Sequence, residues 1–170
     1  MNVPLWAALP ALVIAIVAAQ ADVRTRKIPN SLTFPALLLG LATHLALAGR
    51  AGLLASLAGM AVVGVALIPG WCLRWMGAGD VKLMAAIGAW LAFPHAVIAL
   101  LASLIAGGVI AAAVAVRRGV LGAALRNTAF AAAWTFQPRA PAFVPPTTGV
   151  RFPFALAILA GCAVASWVKT

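Results

Sequence analysis

Two side chains in this sequence can do acid–base chemistry as a pair, and they are its only carboxylates: Asp22 and Asp80, out of 170 residues. Asp22 stands in Asp22-Val23-Arg24-Thr25-Arg26-Lys27-Ile28-Pro29-Asn30. Asp80 stands in Gly77-Ala78-Gly79-Asp80-Val81-Lys82-Leu83. A carboxylate next to hydrocarbon is costly and marks a functional site by default. When two come within a few ångströms, one pKa rises and a single proton is shared. The ionised partner can then take a proton from water while the protonated one polarises a carbonyl. That is the logic of an aspartic hydrolase, and it calls for no metal or other cofactor. The titration belongs to the pair, so neither residue is assigned as acid or base at this stage. Gly77 and Gly79 add a backbone that a substrate chain can approach closely. The blander reading is a helix-capping Asp80 and an Asp22 paired to Arg24, Arg26 or Lys82.

The elements that must hold such a pair are membrane helices. Hydrophobic residues make up 65% of the chain and charged residues 8%, and the mean hydropathy is +1.12. At about 20 residues per span, the length allows six or seven helices and no separate soluble domain. The apolar runs are roughly 4–21, 31–48, 52–73, 81–93, 96–116 and 152–168. The expected architecture is therefore a single all-α membrane domain over 1–170, with a cytoplasmic or interfacial segment at 117–151. The first run lacks a basic flank before it and carries cations after it, which favours an uncleaved helix over a signal peptide. The fourth run, at 1.5 Å per residue, is shorter than the roughly 30 Å hydrocarbon core. It must be shielded by its neighbours, continue past Pro94 or sit in a thinned bilayer. Within 117–151, Arg117 to Arg126 suits an interfacial amphipathic helix, and 137–150 is a proline-rich loop.

Charge then sets the topology. With six spans, all of the 12 Lys and Arg residues except Arg50 and Lys169 fall on one side. The positive-inside rule makes that side cytoplasmic and both termini external. Asp22 and Asp80 both land on the cytoplasmic face, each at a helix end. The net charge of +10 is therefore read as topology and contact with anionic lipid rather than as nucleic-acid binding, for which no basic, aromatic-laced domain is present. Cys72 and Cys162 belong to no C-x-x-C pair and read as small packing residues. His44 and His95 have no partners at metal spacing, and His44 reads as a packed, hydrogen-bonded histidine.

The paired motifs resemble the bacterial type IV prepilin peptidases, which are G-x-G-D membrane aspartic proteases. The resemblance rests on Asp22-x-Arg24 with Ile28-Pro29-Asn30, and on Gly77-x-Gly79-Asp80-Val81-Lys82-Leu83. Arg151-Phe152-Pro153-Phe154-Ala155-Leu156 adds a weaker likeness before the last run. It implies that Asp22 and Asp80 are the catalytic pair, supported by Gly77, Gly79, Lys82, Arg24, Pro29 and Asn30. It also implies cleavage of a short basic leader after Gly, on the cytoplasmic face of a bacterial inner membrane, with a prepilin as partner. The larger members carry a cytoplasmic segment with paired C-x-x-C motifs and also methylate the pilin. This sequence is more similar to the short Flp/Tad-type peptidases, and archaeal preflagellin peptidases are near relatives that fit the same residues. Two expectations follow for the site: that the Gly77–Gly79 loop admits the substrate backbone, and that Lys82 keeps the neighbouring carboxylate partly ionised. The rival readings are a small proton-coupled transporter, a non-enzymatic subunit of a pilus or secretion assembly, and a presenilin-type protease. The oligomeric state is not legible.

Overall fold

The computed structural model describes residues 3–72, 76–123, 125–126 and 154–168, and every described secondary-structure element is helical. The helices are α1 (Leu5–Thr25), α2 (Asn30–Cys72), α3 (Ala78–Leu91), α4 (His95–Arg117) and α5 (Phe154–Trp167). The chain divides into two compact units, residues 1–107 with 153–170, and residues 108–152.

Three of these helices, α1, α2 and α4, are long and apolar enough to cross a membrane. The α2 helix runs over 43 residues but is not continuous, because Gly49 has φ 60° and ψ −152°. Only glycine adopts that backbone readily. The chain reverses there. Trp90 Nε1 of α3 donates to the carbonyl of Ala36 at 2.8 Å, and Ser56 Oγ donates to the carbonyl of the adjacent Ala89. In a straight helix Ala36 and Ser56 would be about 30 Å apart. The stretch is therefore a hairpin of two helices, 30–48 and 50–72, which matches the sequence-based division at Arg50.

The helix α3 is the centre of the larger unit. It has only 14 residues, about 21 Å at 1.5 Å per residue, yet Leu83, Met84, Ala86, Ile87 and Ala89 are fully buried. Of the three ways a short helix could be accommodated, shielding by neighbours is the one found. It does not continue past Pro94: it ends at Leu91, where Ala92 takes a positive φ and donates its N–H to Gly88. The next amide, Phe93, donates to the Ala55 carbonyl at 3.0 Å and fastens this end to α2. Helices α1 and α5 pack on α3 and on each other, through small residues such as Ala11, Ala15, Ala18 and Ala155. Small faces let helices approach closely in lipid, where apolar burial supplies little drive. The outer surface carries large apolar side chains, Leu5, Leu38, Leu54, Val65 and Ile105 among them, as a lipid-facing surface requires. His44 packs as expected: Nδ1 lies 2.9 Å from the Gly40 carbonyl, and the ring meets Trp6 edge-on at 4.9 Å.

In the smaller unit, the end of α4 is followed by a turn at Gly119 (φ 66°), and 121–123 and 125–126 are helical. The expected loop at 137–150 lies outside the described residues.

Candidate active site

Asp80 is placed by the start of α3. The helix begins at Ala78, earlier than the apolar run suggests, with Gly77 as its extended N-cap residue. Asp80 is thus the third helical residue, where a carboxylate can reach back to the N-cap amide. It does so: the Gly77 N–H donates to Asp80 Oδ2 at 3.1 Å. Helix capping, the blander reading, is therefore real. It does not exhaust the residue, because Asp80 is only 9% exposed.

Asp22 lies in the last turn of α1, which runs on to Thr25. The chain leaves that helix through Arg26 in the left-handed region (φ 53°), whose N–H donates to the Asp22 carbonyl at 2.8 Å. Pro29 then opens α2, its carbonyl accepting from Leu32 and Thr33. This tight link brings Ile28 against the start of α3. A Cβ on Gly79 would stand 3.2 Å from Ile28 Cβ. The two motif segments are thereby in contact across about fifty residues of chain.

The electrostatics join the carboxylates. Burial pushes the Asp80 pKa up from 3.8 to about 6; the Gly77 amide opposes the rise, and the negative charge of Asp22 adds to it. An anion that repels its partner while the partner is being desolvated is the condition for a shared proton. Asp22 also accepts, at 3.4 Å, a hydrogen bond from the Ala155 N–H in the first turn of α5.

The other motif residues fall into place unevenly. Lys82 donates to Asn30 Oδ1 at 3.0 Å and lies 5.4 Å from the Phe34 ring centroid. It joins α3 to the start of α2, and Asp80 owes its raised pKa to burial and to Asp22. The expected role of Lys82 beside the carboxylate is not what this geometry displays. Arg24 is exposed in the last turn of α1, where a cation complements the helix dipole. Sequence reasoning missed Phe34, and it quoted Ile28 and Ala155 within motif segments without giving either a place in the site. Phe34 stands four residues after Asn30, so proximity was the available signal. For Ala155 the signal was the weaker motif before the last run; that its amide reaches Asp22, 133 residues away, left no trace in the sequence.

A buried Asp80 and a half-buried Asp22 whose charge adds to the raised pKa of Asp80, on a scaffold of apolar helices, make an arrangement able to do aspartic-type acid–base chemistry in a membrane protein. Residues 9–112, more than half of the chain, match the family model of the type IV leader peptidases, and the protein belongs to that family. Membership implies a leader-peptidase-like protease, and both aspartates lie within the matched residues. No curated protein and no solved structure matches the chain significantly.

Proposed function

We propose that the protein is a membrane aspartic endopeptidase that removes the short basic leader of Flp-type prepilins, cutting after Gly at the cytoplasmic face. The observation that carries this reading is Asp80, raised toward neutrality by burial with a smaller contribution from the charge of Asp22, in a chain of the leader-peptidase family. One carboxylate takes a proton from water as the water oxygen bonds to the scissile carbonyl carbon, and the other gives its proton to the carbonyl oxygen. Collapse of the tetrahedral adduct breaks the C–N bond. The leaving nitrogen takes the proton gained from water, and the adduct hydroxyl returns its proton to the second carboxylate.

The protein works as a single domain in a bacterial inner membrane, crossing it six times with both termini outside. The hairpin at Gly49 supports this count, because it supplies two crossings where one long helix would supply one. Anionic lipid faces the cytoplasmic cations. Gly77 and Gly79 line the approach of the substrate backbone, and Lys82, Asn30 and Pro29 hold the two motif segments together.

The test is co-expression with a Flp-type prepilin from the same genome, read by pilin mobility, for wild type, Asp22→Asn and Asp80→Asn at matched membrane abundance. Cleavage after Gly by wild type and by neither variant is expected. Cleavage surviving either substitution would refute the two-aspartate mechanism. A folded wild type that leaves the prepilin intact would refute the activity.

A further inference from the structure

The weakest of the three sequence motifs, Phe154-Ala155 at the approach to the last helix, falls outside the residues matched to the family, yet it touches the site. The Ala155 N–H donates to Asp22 Oδ2 at 3.4 Å, and Ala155 is fully buried. The first amides of a helix have no partner within it and carry the positive end of the dipole. The contact is long for an N–H···O bond, as hydrogen bonds around a catalytic group often are before substrate tightens them.

The helix α5 is held so that its N-terminus cannot easily drift from Asp22. A Cβ on Gly107 would stand 2.6 Å from the Phe154 ring, and one on Gly161 would collide with Ser103 Oγ and the Ala99 carbonyl. Two glycines, one on each helix, thus seat α5 against α4. Asp80 has a different setting, with one N–H from its own helix start and burial as the larger effect. The two carboxylates therefore occupy unequal surroundings.

We infer that the N-terminus of α5 belongs to the acid–base apparatus: the Ala155 N–H orients the Asp22 carboxylate, so that Asp22 takes the proton from water and Asp80 gives its proton to the scissile carbonyl. This rests on the proteolytic reading above and assigns roles within it. Ala155 is a positioning residue, acting through Asp22. The charged groups on the surrounding elements do not duplicate its effect. On α3 they are Asp80 and Lys82, with Lys82 turned to Asn30. On α1 Arg24 shares the last turn, and Arg26 and Lys27 follow it. The first turns of α2 and the whole of α5 carry no charged side chain.

Two measurements on the full chain in detergent test this. Labelling with carbonyl-¹³C phenylalanine and ¹⁵N alanine isolates the amides of Phe-Ala pairs, which in this sequence are Ala131 and Ala155. One of the two amide protons is expected to move upfield in Asp22→Asn and to respond much less to Asp80→Asn. If neither moves in Asp22→Asn, the contact does not exist and the inference is overturned. The second measurement uses Ala155→Pro, which removes the N–H where proline suits the first turn of a helix. Ala155→Gly keeps the N–H. In Ala155→Pro, kcat is expected to fall about tenfold or more with KM little changed. Ala155→Gly should keep the wild-type kcat. An unchanged kcat, or a KM change in place of a kcat change, in folded Ala155→Pro would overturn the inference. Should the proline variant fail to fold, the amide measurement decides alone. A wild type that cleaves no prepilin, but whose Ala155 amide answers to Asp22→Asn, upholds the contact and refutes the proteolytic reading.

Discussion

Gly59 and Gly88 meet backbone to backbone where the second half of α2 crosses α3. A Cβ on Gly59 would stand 2.5 Å from the Gly88 carbonyl oxygen, and one on Gly88 would stand 2.8 Å from the Gly59 carbonyl oxygen. Neither atom is the loose end of a side chain, so a substituent must push the helices apart. Gly88→Val should destabilise the protein by about 2–4 kcal/mol, as overpacking of a tight core does. Gly64→Ala is the control, since its Cβ would make an ordinary 3.7 Å contact with Ala85. Thermal unfolding in mild detergent checks both. A Gly88→Val variant as stable as Gly64→Ala would mean that the helices do not cross here.

The Asp80 titration has a sign that can be read twice. Its pKa rises from 3.8 in the unfolded chain to about 6 in the fold, so the folded state holds the proton more tightly. The associated stability is fully present below pH 3.8 and is lost as pH rises through about 6. The loss amounts to at most about 3 kcal/mol, at 1.36 kcal/mol per pKa unit. Asp80→Asn, which cannot ionise, should therefore gain stability relative to wild type between pH 4 and pH 7.5. The difference in Tm at the two pH values measures it. On the proteolytic reading, kcat/KM of the free enzyme should decline as pH rises through the same value, because Asp80 then has no proton to give. A wild type and an Asp80→Asn variant with parallel stability curves would show that Asp80 is not desolvated.

Much of this was open to a reader of the sequence, for physical reasons. Two acids in a chain of apolar runs are visible because each breaks the composition around it. Gly49-Arg50 marks the reversal within α2 because a cation and a glycine interrupt a hydrophobic run. The start of α3 was harder to see. Ala78 and Gly79 carry no apolar signal, so the helix appeared to begin at Val81, although Gly77 and Asp80 form half of a capping box. Lys82 was misjudged because sequence proximity to Asp80 said nothing of direction. The side chain of a residue two places further along a helix points elsewhere, and this one reaches Asn30. The start of α5 stood out as a weak motif, but its docking did not, since that depends on a main-chain amide and on two glycines that look like any others.

The link between Lys82 and Asn30 can be isolated by a double-mutant cycle with Lys82→Met and Asn30→Leu. The pair is exposed, and Lys82 gains a second partner in the Phe34 ring. A coupling of about 0.5–1.5 kcal/mol is expected for a hydrogen bond of this kind. Lys82→Met should leave the pH at which cleavage declines unmoved, because the ammonium is directed to Asn30. A displaced pH profile would restore Lys82 to the electrostatics of the carboxylates.

Gly79 tests whether the G-x-G segment serves folding or substrate. Its added Cβ would press on Ile28 Cβ at 3.2 Å, a contact relieved by a shift of a few tenths of an ångström. Gly79→Ala should cost little stability, because Gly79 sits in the first turn of α3 and alanine is the better helix former by about 1 kcal/mol. If the glycine is there to admit a substrate backbone, Gly79→Ala should still raise KM or lower kcat at unchanged Tm. Gly79→Val, with two further methyl groups, should abolish cleavage. Gly79→Val that folds and cleaves at the wild-type rate would show that the substrate does not pass this residue. Gly79→Ala that loses stability and activity together would assign the glycine to the contact with Ile28 instead. The two roles separate because the Ile28 contact exists without substrate, whereas close backbone approach matters only once substrate is bound.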